Sequence, residues 1–166
     1  MRKKTLFFVL ILACLAPLAM ASCKNRSVHY TDTLPAEELA EEVREELEYS
    51  DFGEATGDWL ADYVTMPEDL TDYTICFSTN GNNLNEFGIW HVTSDQVAPV
   101  EATLRTYLAE SLLRNRSFYD SYIPNETAKL AEAEVRVFGN YVCYAILNSR
   151  DRATFFHTVE EELMVN

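Results

Sequence analysis

The chain has 166 residues, with 13 Lys and Arg against 27 Asp and Glu, a formal charge of −14, 12% aromatic residues and only five Gly and five Pro. This aromatic content excludes a disordered stalk, and the acidity argues against a surface that tracks nucleic-acid phosphates. The length supports a single domain around one core.

Arg2, Lys3 and Lys4 precede an apolar run over residues 5–19, and Met20-Ala21-Ser22-Cys23 follows. A bacterial lipoprotein signal has this form: cations hold the N-terminus in the cytoplasm, the apolar run enters the bilayer, and small residues expose the backbone before Cys23 to cleavage. The thiol and amine of Cys23 would then carry lipid. Two other readings share the segment. Ala19-Met20-Ala21 also suits an ordinary secretory cut before Ser22, and about 18 mostly apolar residues could just span a bilayer uncut. Cys14, inside the run, reads as a small hydrophobe of the signal. Loss of residues 1–22 removes three cations and no acid, taking the formal charge to about −17. Each buried methylene contributes about 0.8 kcal/mol and one acyl chain binds only reversibly, so a lasting anchor needs two or more chains. The expected organisation is a signal peptide over 1–22, a lipid-anchored tether over 23–34, and one domain over 35–166.

Pro35 suits a helix start, and Leu39, Val43 and Leu47 give residues 35–48 an apolar stripe opposite a glutamate-rich face. Those glutamates read as a solvated face, because an alternating Asp/Asn calcium loop with its turn glycine is missing. Gly53 and Gly57 break the chain. Trp59, Leu60, Tyr63 and Val64 then suggest a short helix.

Large and small residues alternate over 73–78, Asn80-Gly81-Asn82-Asn83 turns, and residues 86–92 return, which predicts a hairpin. Thr93, Ser94 and Asp95 are candidate caps for a long helix from about residue 96 to 116 or beyond, buried through Val100, Leu104, Tyr107, Leu108 and Leu112. A short helical piece over 126–133 leads to a second hairpin, 135–138 and 141–147, turned at Gly139-Asn140 with Gly at positive φ. The run 141–147 is apolar on both faces and reads as a central strand. Asn148 or Ser149 caps a last helix with Ala153, Phe156, Val159 and Leu163 inward. The expected fold is α+β: an antiparallel sheet of about four strands from two hairpins, with helices packed mainly on one face.

From about Leu60 to the end, the chain resembles a domain-of-unknown-function family found in predicted lipoproteins of Gram-positive bacteria. The residues that carry the resemblance are Glu86-Phe87-Gly88-Ile89, the long helix leading to Phe118, Tyr122, Pro124 and Glu126, and the segment 135–142 with Gly139. It implies an extracytoplasmic location and one compact domain, and brings no activity or catalytic residues. Cys76 and Cys143 depart from its pattern.

No catalytic set is legible. His29, His91 and His157 share no metal-ligand spacing, and no Gly-x-Ser-x-Gly, Ser-x-x-Lys or His-Glu-x-x-His is present. A disulfide between Cys76 and Cys143 is open if their strands are neighbours in register, although two buried thiols are preferred. The binding candidate is Phe118, Tyr119 and Tyr122, aromatics at a helix exit that suit stacking on a sugar or peptide, or else plug the core edge. No cofactor, metal or nucleic acid is expected. The functional expectation is a non-enzymatic binding or interaction domain held by lipid on the outer face of the cell membrane, or secreted, engaging an envelope protein or a small ligand. The alternatives are an envelope hydrolase acting on wall glycan or peptide, and an accessory subunit of a membrane complex.

Overall fold

A computed structural model describes residues 28–55, 66–67 and 69–165. The expected signal segment, Cys23, the first part of the tether and the short helix at Trp59–Val64 lie outside the described residues. The order is α1 (Ala36–Leu47), β1 (Phe52–Glu54), β2 (Tyr73–Ser78), β3 (Glu86–His91), α2 (Val97–Tyr122), α3 (Pro124–Ala131), β4 (Glu134–Phe138), β5 (Tyr141–Ile146) and α4 (Ser149–Leu163). No helix among the described residues is long and apolar enough to cross a membrane.

The fold is α+β, and the sheet has five strands rather than four, in the order β1-β2-β3-β5-β4 with every neighbouring pair antiparallel. The additional strand, β1, is three residues long and contains Gly53, a signal too short for alternation to reveal. Both expected hairpins form and meet through β3 and β5. Gly139 makes the β4–β5 turn at φ +59°, the left-handed region that glycine enters without penalty.

Helices cover both faces of the sheet, which corrects the expectation of one covered face. Leu39 and Val43 of α1 and Phe155, Val159 and Leu163 of α4 pack on Cys76, Phe87, Ile89, Cys143 and Ala145. On the other face, Val100, Leu104 and Leu108 of α2 and Leu130 of α3 pack on Ile75, Trp90, Val142, Tyr144 and Ile146. The cause is in β5 itself: all six of its residues are buried, and a strand apolar on both sides needs an apolar layer against each.

The chain before α1 also departs from the expected tether. Residues 28–34 lie against the domain: Thr31 N–H donates to Leu163 O at 2.8 Å, Val165 N–H to His29 O at 3.0 Å, and the Tyr141 hydroxyl both donates to Leu34 O (2.8 Å) and accepts from Leu34 N–H (3.0 Å). Backbone groups that find partners on the domain do not stay extended into solvent.

Candidate functional site

Two polar centres stand at opposite ends of β3. At its start, the Glu86 carboxyl accepts through Oε1 from two tyrosine hydroxyls, Tyr107 of α2 at 2.8 Å and Tyr144 of β5. Local geometry explains the meeting. Glu86 shares a face of β3 with Gly88 and Trp90, and Tyr144 pairs with Gly88, so Tyr144 is the diagonal neighbour of Glu86. A Cβ on Gly88 would stand 2.5 Å from the Trp90 ring and 2.6 Å from the Tyr144 ring. Glycine lets both rings lie across the strand, and the Tyr144 hydroxyl reaches the acid.

Glu86 opens onto a cleft of about 430 Å³ between the β2–β3 loop and α2, lined also by Phe77, Asn80, Asn83, Asn85, Tyr107, Ser111, Arg114 and Tyr119. That volume suits a small organic ligand. Burial pushes the Glu86 carboxyl above the usual carboxylate range, against the two hydroxyls that pull it down. Burial also raises the phenols of Tyr107 and Tyr144, so both remain hydroxyl donors. The loop is fixed from α3: Lys129 Nζ donates to Asn85 (2.8 Å), Asn83 (3.1 Å) and Glu126 (2.7 Å), and Glu126 accepts from Leu84 N–H at 2.9 Å.

At the other end, His91 is clasped. Its Nδ1 lies 2.8 Å from Asp72 and its Nε2 2.8 Å from Asp32, while the ring stacks on Tyr141 at 4.4 Å. Both nitrogens face carboxylates, an arrangement that the doubly protonated ring satisfies. Partial burial opposes that charge, but the bonds and charges of Asp32 and Asp72 outweigh it and hold the imidazole above its ordinary value of 6.5. The bond from His91, with a second from Asn140, holds Asp32 below the ordinary aspartate range. Asp72 also accepts from Ala36 N–H at 2.9 Å, which ties the start of α1 to the same centre. A second hollow of about 400 Å³ opens beside it.

The sequence-predicted residues divide. Tyr119 lines the Glu86 cleft, whereas Phe118 (55% exposed) and Tyr122 (73% exposed) pair with each other at 4.8 Å. The helix explains this: α2 has 26 residues and runs about 39 Å, whereas strands of six residues span roughly 20 Å, so its last turns pass the sheet. Cys76 and Cys143 are free, buried thiols, which corrects the disulfide alternative. They lie on β2 and β5 with β3 between them, about 10 Å apart at the least, beyond the reach of a bond that needs Cα atoms within about 7 Å. Burial pushes Cys76 up to about 12 and Cys143 higher still, so neither is a thiolate nucleophile. Among the described residues, no cluster of His, Cys, Asp and Glu could hold a metal ion.

Sequence reasoning missed both centres. The Asp72–His91 pair was within reach, since Tyr73 opposite Trp90 places Asp72 opposite His91. For Glu86 the available signal was an acid on the same strand face as Gly88 and Trp90.

No curated protein and no solved structure matches the chain. A family model matches residues 61–147, starting where the resemblance was expected to start and stopping before α4. The segment contains Glu86, Tyr107, Tyr144, His91 and Asp72, but not Asp32. On this match, which covers just over half of the sequence, the chain belongs to the family described as Domain of unknown function (DUF4358).

Proposed function

We propose that this protein is a lipid-anchored, extracytoplasmic binding domain of a Gram-positive cell envelope, non-enzymatic, with the Glu86 cleft as its ligand site. The observation that carries the binding reading is the cleft: a desolvated carboxyl at its wall, three aromatic rings and a set of side-chain amides converge on one space. The anchor rests on the basic start, the apolar run and Met20-Ala21-Ser22-Cys23. Against the hydrolase alternative, Glu86 is the one carboxylate among the described residues that line the cleft, and hydrolysis of a glycosidic bond by the common routes needs a pair.

A ligand-observed NMR screen of small polar compounds tests the cleft. Binders are expected to perturb the amides of residues 80–86, and Ser111→Trp, which fills the space, should abolish binding. Binding that survives Ser111→Trp removes the cleft from the reading. Cys23→Ser tests the anchor: lipid labelling should stop and the protein should leave the membrane fraction, whereas persistence there points to an uncleaved segment. The accessory-subunit reading has one observation in its favour, the exposed Phe118–Tyr122 ring pair beyond the sheet. Crosslinking in cells to one fixed membrane partner would favour it.

A further inference from the structure

We infer that the cleft recognises the cationic end of a small amine, a primary or quaternary ammonium group seated against Glu86; this rests on the reading of the cleft as a ligand site. Some of the chain's other partly buried acids are paired with its own cations, while Asp51, Asp151 and Glu160 accept from the hydroxyls of Ser78, Tyr49 and Tyr30. Glu126 meets Lys129 at 2.7 Å, and Glu134 meets Arg136 at 2.7 Å and Arg152 at 3.1 Å. Glu86 belongs to the second kind and is the acid that lines the cleft: no Lys, Arg or His among the described residues forms an ion pair with it. Its hydrogen-bond partners Tyr107 and Tyr144 are neutral donors, and both engage Oε1.

A desolvated carboxylate without a counter-charge is costly to keep, and an ammonium ion brought by a ligand supplies the missing partner. The two hydroxyls hold the carboxyl in one orientation before the ligand arrives, so little ordering remains for binding to impose. The walls suit the same guest, because Phe77, Tyr107 and Tyr119 line the cleft and aromatic rings attract a desolvated cation. Arg114, the one cation among the described lining residues, is exposed and paired with Glu110 at 3.5 Å, so Glu86 is not its partner. The net charge of −14 steers cations toward the protein and anions away from it.

The test compares three probes of one shape, benzylammonium, benzyl alcohol and benzoate, by amide chemical-shift titration of the whole processed protein near neutral pH. Benzylammonium should shift Asn85 and Glu86 and bind about tenfold more tightly than the alcohol, the increment of one charge-assisted contact, and benzoate should not bind. Glu86→Gln should remove that preference, whereas Tyr107→Phe, which keeps the carboxyl, should retain it. Equal affinity for amine and alcohol, or a preference that survives in Glu86→Gln, overturns the amine assignment and leaves the cleft standing as a site. Absence of any shift with benzylammonium also overturns it, and the cleft reading is then decided by the Ser111→Trp screen.

Discussion

The two ends of β3 answer the same electrostatic problem in opposite ways. At Glu86 a half-buried acid meets two neutral hydroxyls, with no base among the described residues paired to it; at His91, five residues on, a base is held between two acids. The first arrangement leaves an interaction unmade. The second is closed, and its partners are structural: Asp32 belongs to the N-terminal arm, and Asp72 caps α1. A polar group that the protein satisfies internally serves the fold, whereas one left short of a counter-charge beside an open cleft is available to a ligand. The alternation of β3 separates the two, since Glu86 faces α2 and His91 stacks on Tyr141, which faces α1 and α4.

The largest expected effect comes from the glycine on the Glu86 side. Gly88→Ala places a methyl inside the space of the Trp90 and Tyr144 rings, and because those rings stack on one another at 5.3 Å neither can yield alone. A loss of about 3 kcal/mol is expected, at the upper end for one added methyl in a packed core. Urea unfolding measures it. Displacing Tyr144 also withdraws one donor from Glu86, so the Glu86 amide should shift in NMR spectra while Thr31 at the far end does not. A variant as stable as the wild type would show that the rings are free to move.

Next in size is His91→Ala, which opens the clasp at a cost of about 1–2 kcal/mol, discounted for the exposure of Asp32 and Asp72. The pH dependence has a definite sign. His91 titrates above 6.5 in the folded protein, so its contribution is complete below 6.5 and is lost as pH rises through the folded value. Asp32 titrates below 3.8, so its share is present above 3.8 and is lost as pH falls through its folded value. The gap between wild type and His91→Ala should therefore be widest between about pH 4 and 6.5 and narrow at pH 9, and Thr31 should exchange its amide hydrogen faster in the variant. A gap independent of pH would assign the cost to lost stacking on Tyr141.

How far each centre was legible follows from the separation of its parts. The helices and the two hairpins follow from periodicity, because Leu39, Val43 and Leu47, or Val142, Tyr144 and Ile146, face one direction whatever covers them. The two-sided packing was legible too: a strand apolar on both faces cannot sit in a sheet covered on one side. Asp72 follows from hairpin register, but Asp32 reaches His91 across 59 residues from a stretch with no pattern of its own. The Glu86 centre joins three elements, and the approach of α2 that brings Tyr107 to it is set by tertiary packing. The exposure of Phe118 and Tyr122 was not legible, because helical spacing records which face they occupy and not where the sheet stops.

Tyr107→Phe removes one of the two donors to Glu86 and should cost about 1 kcal/mol near neutral pH. The Glu86 carboxyl should then titrate higher still, because one of the bonds that draws its value down is gone. Carboxyl carbon shifts followed against pH would show this. An unmoved titration would mean that Tyr144 alone sets the acid.

The smallest expected change is the one that separates the two ends most cleanly. Glu86 titrates above its ordinary 4.5 in the folded protein, so its contribution is complete below 4.5 and is lost as pH rises through the folded value. His91 behaves in the same sense but starts from 6.5. Wild-type stability should therefore fall in two steps as pH rises, the first belonging to the acid and the second to the clasp. Glutamine at position 86 keeps an oxygen for both tyrosines and carries no charge to bury, so Glu86→Gln should match the wild type at pH 4 and exceed it at pH 8 by less than about 1 kcal/mol. The first step should vanish and the second remain, whereas His91→Ala should do the reverse. If Glu86→Gln is instead less stable than the wild type at every pH, the charge at Glu86 already has a partner within the protein, and the contrast between the two ends of β3 disappears.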